Sequence, residues 1–548
     1  MYRFIQRQGG CRTRTLVRAA IMCTLSLLPA LPAIAQDASV HPRSDVARFR
    51  ARVDAILADT HAKRSYWGIE VADRDTGEIL YTLNADHFFA PASNAKLITT
   101  ALALNELGPD YRFRTTLESD GILTKAGRLS GDLVLVGRGD PDMSNRIFPF
   151  AGEFARRGAT ESVLADMADA AIAKGLREVD GDIVADDSYF PYDPYPAGWS
   201  VGDLFFDFGV PVGAITFNDN IVSILIEPGA RPGGPAVIAT QPAASLETLA
   251  HSVATSARDT IPQIAVVRQP GTNFLLLRGT IPAEHAPLKL ELAMIHPAEA
   301  AASAIKDLLA ARGVRITGQI RVFHSAPPET LASGEPVLPA MAAPTTHRLV
   351  LAEHMSPPLA QSVELTNKIS QNLHAEIFLR TVGRKELGLA STAAGLKVER
   401  EFLHSAGIPD GDVVLTDGSG LSRDDLVTPR AMVDLLRYAS RAPWAHDFLA
   451  SLPVSGKDGT LDDRLRHSPA SGLIEAKTGA TERVHALTGY ATTLRGEYLV
   501  FSIFCNNDAQ HGAEATSPVD DIATAMIETL GPVPAISNAA RPRHDEQQ

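Results

Sequence analysis

The feature that most restricts the fold is a change of texture at both ends of a long middle stretch. Val46, Phe49, Val53, Ile56 and Leu57 recur at helical spacing, so residues 40–64 read as a helix. Tyr66 to Leu83 reads as two strands around the turn Asp73-Arg-Asp-Thr-Gly77. Asn94 to Leu107 is rich in Ala and Leu and is stopped by Gly108-Pro109, which predicts a helix with a clean end. From about 110 to 340 the pattern becomes short alternating runs punctuated by Gly and Pro, with helices near 161–176 and 298–312. A Pro-rich seam at 326–344 closes that region. Helical patterns then dominate from His347 to about Leu449. Gly472 to Asn506 returns to strands, and Val519 to Leu530 fits a final helix. Matching α/β texture at the two ends predicts one discontinuous unit, with the middle inserted into it.

The 548 residues are 45% hydrophobic and 21% charged, an ordinary globular composition that excludes a disordered or collagen-like chain. That length holds roughly 3 to 4 domains' worth of chain. The net charge of −13 leaves no basic excess to neutralise phosphates, so nucleic acid is not an expected partner. Three cysteines are too few for a disulfide scaffold or a Cys-rich metal site. None of the 16 histidines falls in an H-E-x-x-H string, and His374-Ala-Glu376 lacks the P-C-x-x-C partner of zinc deaminases.

Residues 1–35 carry five arginines (Arg3, Arg7, Arg12, Arg14 and Arg18) and no acid. A short apolar run follows from Ala19, then Pro29, Pro32 and Ala33-Ile34-Ala35. This order of basic region, apolar core and small-residue site predicts a secretory signal peptide cleaved after Ala35. The run is too short and too broken by proline for a membrane anchor. Cleavage takes the net charge to −18 and removes Cys11 and Cys23. Cys505 remains, in a segment that reads as a buried strand, where a small inert thiol is expected. The tail 536–548 is polar and offers no amphipathic anchor. An exported protein without a stable membrane anchor is expected, with the periplasm as its setting.

Three short motifs could carry chemistry. Ser93-Asn-Ala-Lys96 opens a helix, with serine and lysine one turn apart on one face. The hydroxyl lies at the positive end of the helix dipole, and a desolvated lysine can act as its base. Taken alone, Ser93 reads as a helix cap rather than a nucleophile. Ser303-Ala-Ile-Lys306 has the same spacing in mid-helix. Ser370-Gln-Asn372 lies on or beside a helical stretch and by itself reads as polar surface. Lys477-Thr-Gly479-Ala480 lies on an expected strand, where glycine admits close approach of a ligand backbone. Its alternative reading is a strand-end turn. Lys457-Asp-Gly459 is a lookalike, better read as a turn.

The three occur in order, each on a suitable element, as S-x-x-K, S-x-N and K-T-G. On these residues the chain resembles the penicillin-recognising serine enzymes. The first gap, Ser93 to Ser370, is 277 residues, and the second, Ser370 to Lys477, is 107. The long first gap is similar to that of D-alanyl-D-alanine carboxypeptidase/endopeptidases of the penicillin-binding protein 4 type. Gly137-Arg-Gly-Asp140-Pro141, Phe217-Asn-Asp-Asn220, Asp417-Gly-Ser-Gly-Leu-Ser-Arg423 and Asp458-Gly-Thr-Leu461 also match that branch. The resemblance implies an α/β (α+β) fold. A β-lactamase/transpeptidase-like domain, an antiparallel sheet flanked by helices, would comprise 36–109 and 345–535. A strand-rich insertion of one or two subdomains would occupy 110–344, with a nested subdomain at about 215–290.

The resemblance further implies an acyl-enzyme on Ser93, with Lys96 as base and peptidoglycan stem peptides as substrates. β-Lactam antibiotics would act as acylating inhibitors, and no metal or cofactor would be needed. Backbone N–H groups of Ser93 and Ala480 would form the oxyanion hole. Ser370 would relay a proton to the leaving amine, and Asn372 would orient the substrate amide. Lys477 and Thr478 would face the substrate carboxylate beside Gly479. Leu421, Arg423 and Asp186 would contact the diamino-acid side chain of the stem. The residue after Lys-Thr-Gly, often Thr or Ser in the family, is Ala480 here, so a side-chain hydroxyl is lost. A β-lactamase of class A would carry E-x-x-L-N after the second motif, and none follows Asn372. A non-enzymatic relative would have lost Ser93 or Lys96. A Ser-His-Asp hydrolase would show a G-x-S-x-G elbow, which is absent.

Overall fold

The computed structural model describes residues 43–242, 248–269, 272–326, 348–510 and 513–531, the last with side chains from 516 onward. The expected signal segment, nearly all of the Pro-rich seam with the 344/345 boundary, and the polar tail lie outside these residues.

The central element is a five-stranded antiparallel sheet in the order Ile79–Leu83, Tyr66–Asp73, Tyr498–Asn506, Val484–Thr492, Ile474–Thr481. Tyr66 pairs with Asn506 and Asp73 with Leu499, so the two ends of the chain share one sheet. Strand periodicity sorts its side chains onto two faces. Leu499, Phe501, Ile503 and Cys505 pack with Phe49 and Val53 of the helix Ser44–Leu57 and with Ile522 and Met526 of the helix Ala513–Thr529. Val500 and Phe504 face the other way, onto Ile98 and Leu102 of the helix Ala95–Leu107 and Met432 and Leu436 of the helix Pro429–Ala439. Cys505 is buried as expected, and burial pushes its thiol up to about 12, so it stays protonated.

Ala95 to Leu104 are all buried, which explains a helix apolar nearly all round. Gly108, at φ 84°, ends it.

The middle of the chain forms further sheets. One runs Ile320–Ser325, Ile183–Pro191, Leu133–Val136, Arg114–Ser119, Leu349–Met355. The helices Ser162–Ala173 and Pro297–Ala311 cover it through Leu164, Met167, Ala301 and Ile305. Leu349–Met355, within the stretch expected to be helical, is therefore an edge strand of this sheet, antiparallel to Arg114–Ser119. Residues 221–293 contain two three-stranded sheets with a core of Val222, Ile224, Leu275 and Leu277. Among the described residues no helix is long and apolar enough to cross a membrane.

Candidate active site

The helix Ala95–Leu107 is entered through a 3-10 turn, Ala92–Asn94, with Ala92 at φ 47° and no side-chain cap. Ser93 is not the helix cap. Its Oγ accepts a hydrogen bond of 2.8 Å from Lys96 Nζ, which also donates to the Ser419 carbonyl at 2.7 Å. Lys96 is completely buried. Burial lowers its ammonium to about 7, against the opposing pull of Asp417, Glu376 and Asp425. A base poised near neutrality therefore touches the hydroxyl it would deprotonate. The lookalike Lys306 donates instead to the Gly318 carbonyl.

Two of these carboxylates, Glu376 and Asp425, are weak counter-charges because burial works on them as well. It pushes Glu376 up to about 8 and, together with Asp417, Asp425 up to about 10. Asp417 organises the loop that carries Ser419. It accepts from the backbone N–H groups of Ser419, Gly420 and Ser422 and from Trp199 Nε1 of the inserted region. Gly420, at φ 79°, lies against the Ala92–Asn94 turn, where a Cβ would fall 1.9 Å from the Ala92 carbonyl.

Ser370 sits in left-handed conformation (φ 63°, ψ 39°) at the joint between the helices Leu359–Ile369 and Asn372–Leu387. Such a residue stores about 1–3 kcal/mol of strain and persists only where its surroundings hold it. Lys368, two residues earlier, is held by Asp458 at 2.8 Å and by the Leu452 carbonyl. Gln371 caps the second helix on Leu373 N–H. The result is a hydrogen bond of 2.9 Å from Lys477 Nζ to Ser370 Oγ. Lys477 is fully buried, and burial together with the nearby Lys96 charge draws it well below the ordinary lysine range. Its lookalike Lys457 is exposed.

Lys477 to Ala480 lie on the edge strand Ile474–Thr481 of the central sheet. Gly479 is required there: a Cβ would meet the Pro91 carbonyl at 2.6 Å. Thr478 Oγ1 donates to Thr460 Oγ1 at 2.7 Å. The Asp458-Gly-Thr-Leu461 segment thus ties the Ser370 joint, through Asp458, to the Lys477 strand, through Thr460. Asn372 donates from Nδ2 to the Phe208 carbonyl at 2.7 Å, so the inserted region reaches the same groove.

Ser93, Lys96, Ser370, Asn372, Lys477, Thr478 and Gly479 are thus brought onto one groove, with Ala480 exposed at its end. Leu421 is buried in the loop organised by Asp417. Arg423 lies 3.9 Å from Glu482, in the turn after Ala480, and 3.9 Å from Asp203.

Asp186 is a correction. It is a strand residue of Ile183–Pro191, its carboxylate accepts from Ser188, and Arg348 lies 3.6 Å away. It lines a separate cavity with Arg321, Phe323 and Arg348. Of the two acids 3.9 Å from Arg423, Asp203 and Glu482, Asp203 belongs to the inserted region, and its Oδ2 is buried without a hydrogen-bond partner. Sequence reasoning missed Asp203, Trp199 and Glu376. The one signal for the first two was their position in the Pro- and Gly-flanked segment after Pro196. Among the described residues no group of three or more His, Cys, Asp or Glu is placed to hold a metal ion.

Comparison with known proteins identifies the family. The sequence profile of the D-Ala-D-Ala carboxypeptidase 3 (S13) family matches residues 49–526. A D-alanyl-D-alanine carboxypeptidase of Actinomadura sp. is 34% identical over 540 residues, covering 96% of this chain and 92% of that one. D-alanyl-D-alanine carboxypeptidase DacB of Haemophilus influenzae is 27% identical over 433 residues, or 78% of this chain and 83% of its own. The crystal structure of penicillin binding protein 4 (dacB) from H. influenzae superposes with a TM-score of 0.71 at 25% identity, covering 86% of this chain and 98% of that one. The chain belongs to the D-Ala-D-Ala carboxypeptidase 3 (S13) family.

Proposed function

We propose that this chain is an exported serine hydrolase that removes the terminal D-alanine from peptidoglycan stem peptides and also cleaves D-Ala cross-links as a DD-endopeptidase. The observation that carries the reading is the buried Lys96 Nζ, held 2.8 Å from Ser93 Oγ and with its proton affinity reduced to about 7. Ser93 Oγ bonds the D-Ala carbonyl carbon as its proton passes to Lys96. The N–H groups of Ser93 and Ala480 receive the developing oxyanion, each donor contributing about 3–4 kcal/mol. The C–N bond then breaks as Ser370 passes a proton to the leaving amine and takes in its place the one held by Lys96. Water hydrolyses the ester and returns the proton to Ser93.

Asn372 orients the substrate amide, and the Phe208 carbonyl holds it in position. Lys477 and Thr478 bind the substrate carboxylate. Its arrival supplies the counter-charge that buried Lys477 lacks. Leu421 and Arg423 contact the diamino-acid side chain of the stem, and Asp203, in place of Asp186, offers its amine a carboxylate. In this reading residues 1–35 direct export to the periplasm. The catalytic unit is built from both ends of the described chain, and 110–344 with the returning strand Leu349–Met355 form the insertion.

The test is the intact mass of the mature protein after brief exposure to benzylpenicillin, with Ser93→Ala alongside. A persistent single adduct that requires Ser93 supports the reading. No adduct with intact drug would overturn it, and no adduct with rapidly destroyed drug would make the protein a β-lactamase.

A further inference from the structure

A second cavity, of about 150 Å³, opens on Ile369, Ser370, Gln371 and Asn372 and is otherwise walled by the inserted region. Its wall carries both signs of charge. Arg146, Arg156 and Lys289 line it together with Glu153, Asp207 and Glu291, and Lys289 pairs with Glu291 at 2.5 Å. The two arginines are fixed from behind by Asp219, which is fully buried and accepts from Arg146 Nε at 2.7 Å and Arg156 Nη2 at 2.8 Å. Burial pushes Asp219 up, but the two guanidinium groups outweigh it and hold the carboxylate ionised. Asp219 is aimed there by an uncommon backbone: Asn218, Asp219 and Asn220 all have positive φ, at 50°, 55° and 56°. Burial and the neighbouring Glu291 push Asp207 upward, so this carboxyl gains from a cation brought by a ligand. Phe154, 81% exposed, and Phe208, 41% exposed, stand at its mouth. Exposed aromatics beside a charged cavity mark a surface that meets a ligand.

The position of the cavity says what that ligand is. If Ser370 protonates the leaving amine, the amine sits at Ser370 Oγ, and whatever is bonded to it must extend past Ser370. A free D-alanine carries no more than a methyl group and the carboxylate taken by Lys477 and Thr478. A cross-linked stem carries more, because its leaving amine is the side chain of a diamino acid with a further peptide and carboxylate. We infer that the cavity between Ser370–Asn372 and the inserted region is the leaving-stem subsite for cross-link cleavage, with Arg146, Arg156 and Lys289 receiving the carboxylates of a zwitterionic diamino-acid peptide and Glu153, Asp207 and Glu291 its ammonium groups. The inference rests on the endopeptidase part of the proposed function.

The test uses the mature enzyme and two variants on the rim, Lys289→Gln and Glu153→Gln. Each is assayed on a stem peptide ending in D-Ala-D-Ala and on a purified cross-linked stem dimer, and acylation by benzylpenicillin reports the Ser93 chemistry. The expected result is a fall of about tenfold or more in kcat/KM for the dimer, carried by KM. Cleavage of the D-Ala-D-Ala peptide and the acylation rate should both stay within about twofold of wild type. Equal loss on both peptides, or no loss on either, would overturn the subsite while leaving endopeptidase activity in place. Failure of the wild-type enzyme to cut the dimer, with normal penicillin acylation, would overturn the endopeptidase reading and the subsite with it.

Discussion

Replacing Lys96 by Met separates the cost of a buried amine from its use. Lowering an ammonium from its ordinary 10.5 to about 7 costs about 5 kcal/mol of folding free energy at acid pH, at 1.36 kcal/mol per pH unit. The sign follows from the depressed lysine. The unfolded chain binds the proton more tightly than the folded one, so the penalty is complete below pH 7. It shrinks as pH rises from 7 toward 10.5 and is gone above that. Met removes the penalty but leaves Ser93 Oγ and the Ser419 carbonyl without their donor, at about 1–3 kcal/mol for the buried carbonyl. Loss of the Lys96 charge also relieves Lys477, which adds stability in the same direction. Lys96→Met is therefore expected to be more stable than wild type by about 2 kcal/mol or more at pH 6.5. That margin should narrow by about 2–3 kcal/mol at pH 9. Urea unfolding at the two pH values measures it, and benzylpenicillin acylation should be lost in the same variant. Wild-type acylation should rise with pH through an apparent pKa of about 7. A stability difference independent of pH, or an acylation profile still rising toward pH 10, would refute the argument that burial delivers the neutral base.

Gly479→Ala would place a Cβ 2.6 Å from the Pro91 carbonyl and push the nucleophile turn off the edge strand. About 1–3 kcal/mol of stability should be lost, with a larger proportional loss in acylation rate, read by thermal unfolding and stopped-flow acylation. Lys477→Ala should reduce kcat/KM by at least about a hundredfold, from loss of the positioned group at Ser370, and exposed Lys457→Ala by less than about twofold. Equal losses would mean that the wrong Lys-x-Gly site had been chosen. Asp417→Ala strips the acceptor from Trp199 Nε1 and three backbone N–H groups. It should cost about 3 kcal/mol or more by denaturant unfolding and slow acylation, because the loop presenting the Ser419 carbonyl to Lys96 loosens.

The parts of this protein visible in its sequence are those that local pattern encodes. The expected helix from Asn94 to Leu107 is Ala95–Leu107, because an Ala- and Leu-rich run and a glycine stop are local facts. The expected helix near 298–312 is Pro297–Ala311. The strand Leu349–Met355 was hidden because its partner, Arg114–Ser119, lies more than 200 residues earlier. The final helix, expected over Val519 to Leu530, runs Ala513–Thr529 and carries Pro518 inside it. At the site, three motifs in order could be read directly, since helix start and strand set their spacing. The left-handed joint at Ser370 could not, because it depends on Lys368 being held by Asp458, ninety residues away. Asp186 and Asp203 show the same limit. Both lie in Pro-bounded segments, and only the folded chain shows which one meets Arg423.

The electrostatics of the groove explain why it needs both ends of the chain and the insertion together. Two lysines sit fully buried, and the charge on Lys96 disfavours that on Lys477. Of the three buried acids that act on Lys96, Glu376 and Asp425 are pushed toward their protonated forms and offset little of that repulsion, which leaves Asp417 as the main counter-charge. The empty groove therefore favours a state of low net charge. An incoming carboxylate at Lys477 changes the balance by stabilising a proton there, and a proton on Lys477 keeps one off Lys96. Under the proposed mechanism the substrate's own terminal charge thus promotes the base form of the lysine that activates Ser93. This coupling depends on exclusion of water from both amines. The Ser419 loop closes over one of them, and the edge strand and the Ser370 joint close over the other. No single segment could supply that enclosure. The nucleophile helix comes from the start of the described chain and the edge strand from near its end, and Trp199 and Phe208 of the insertion fasten the remaining walls.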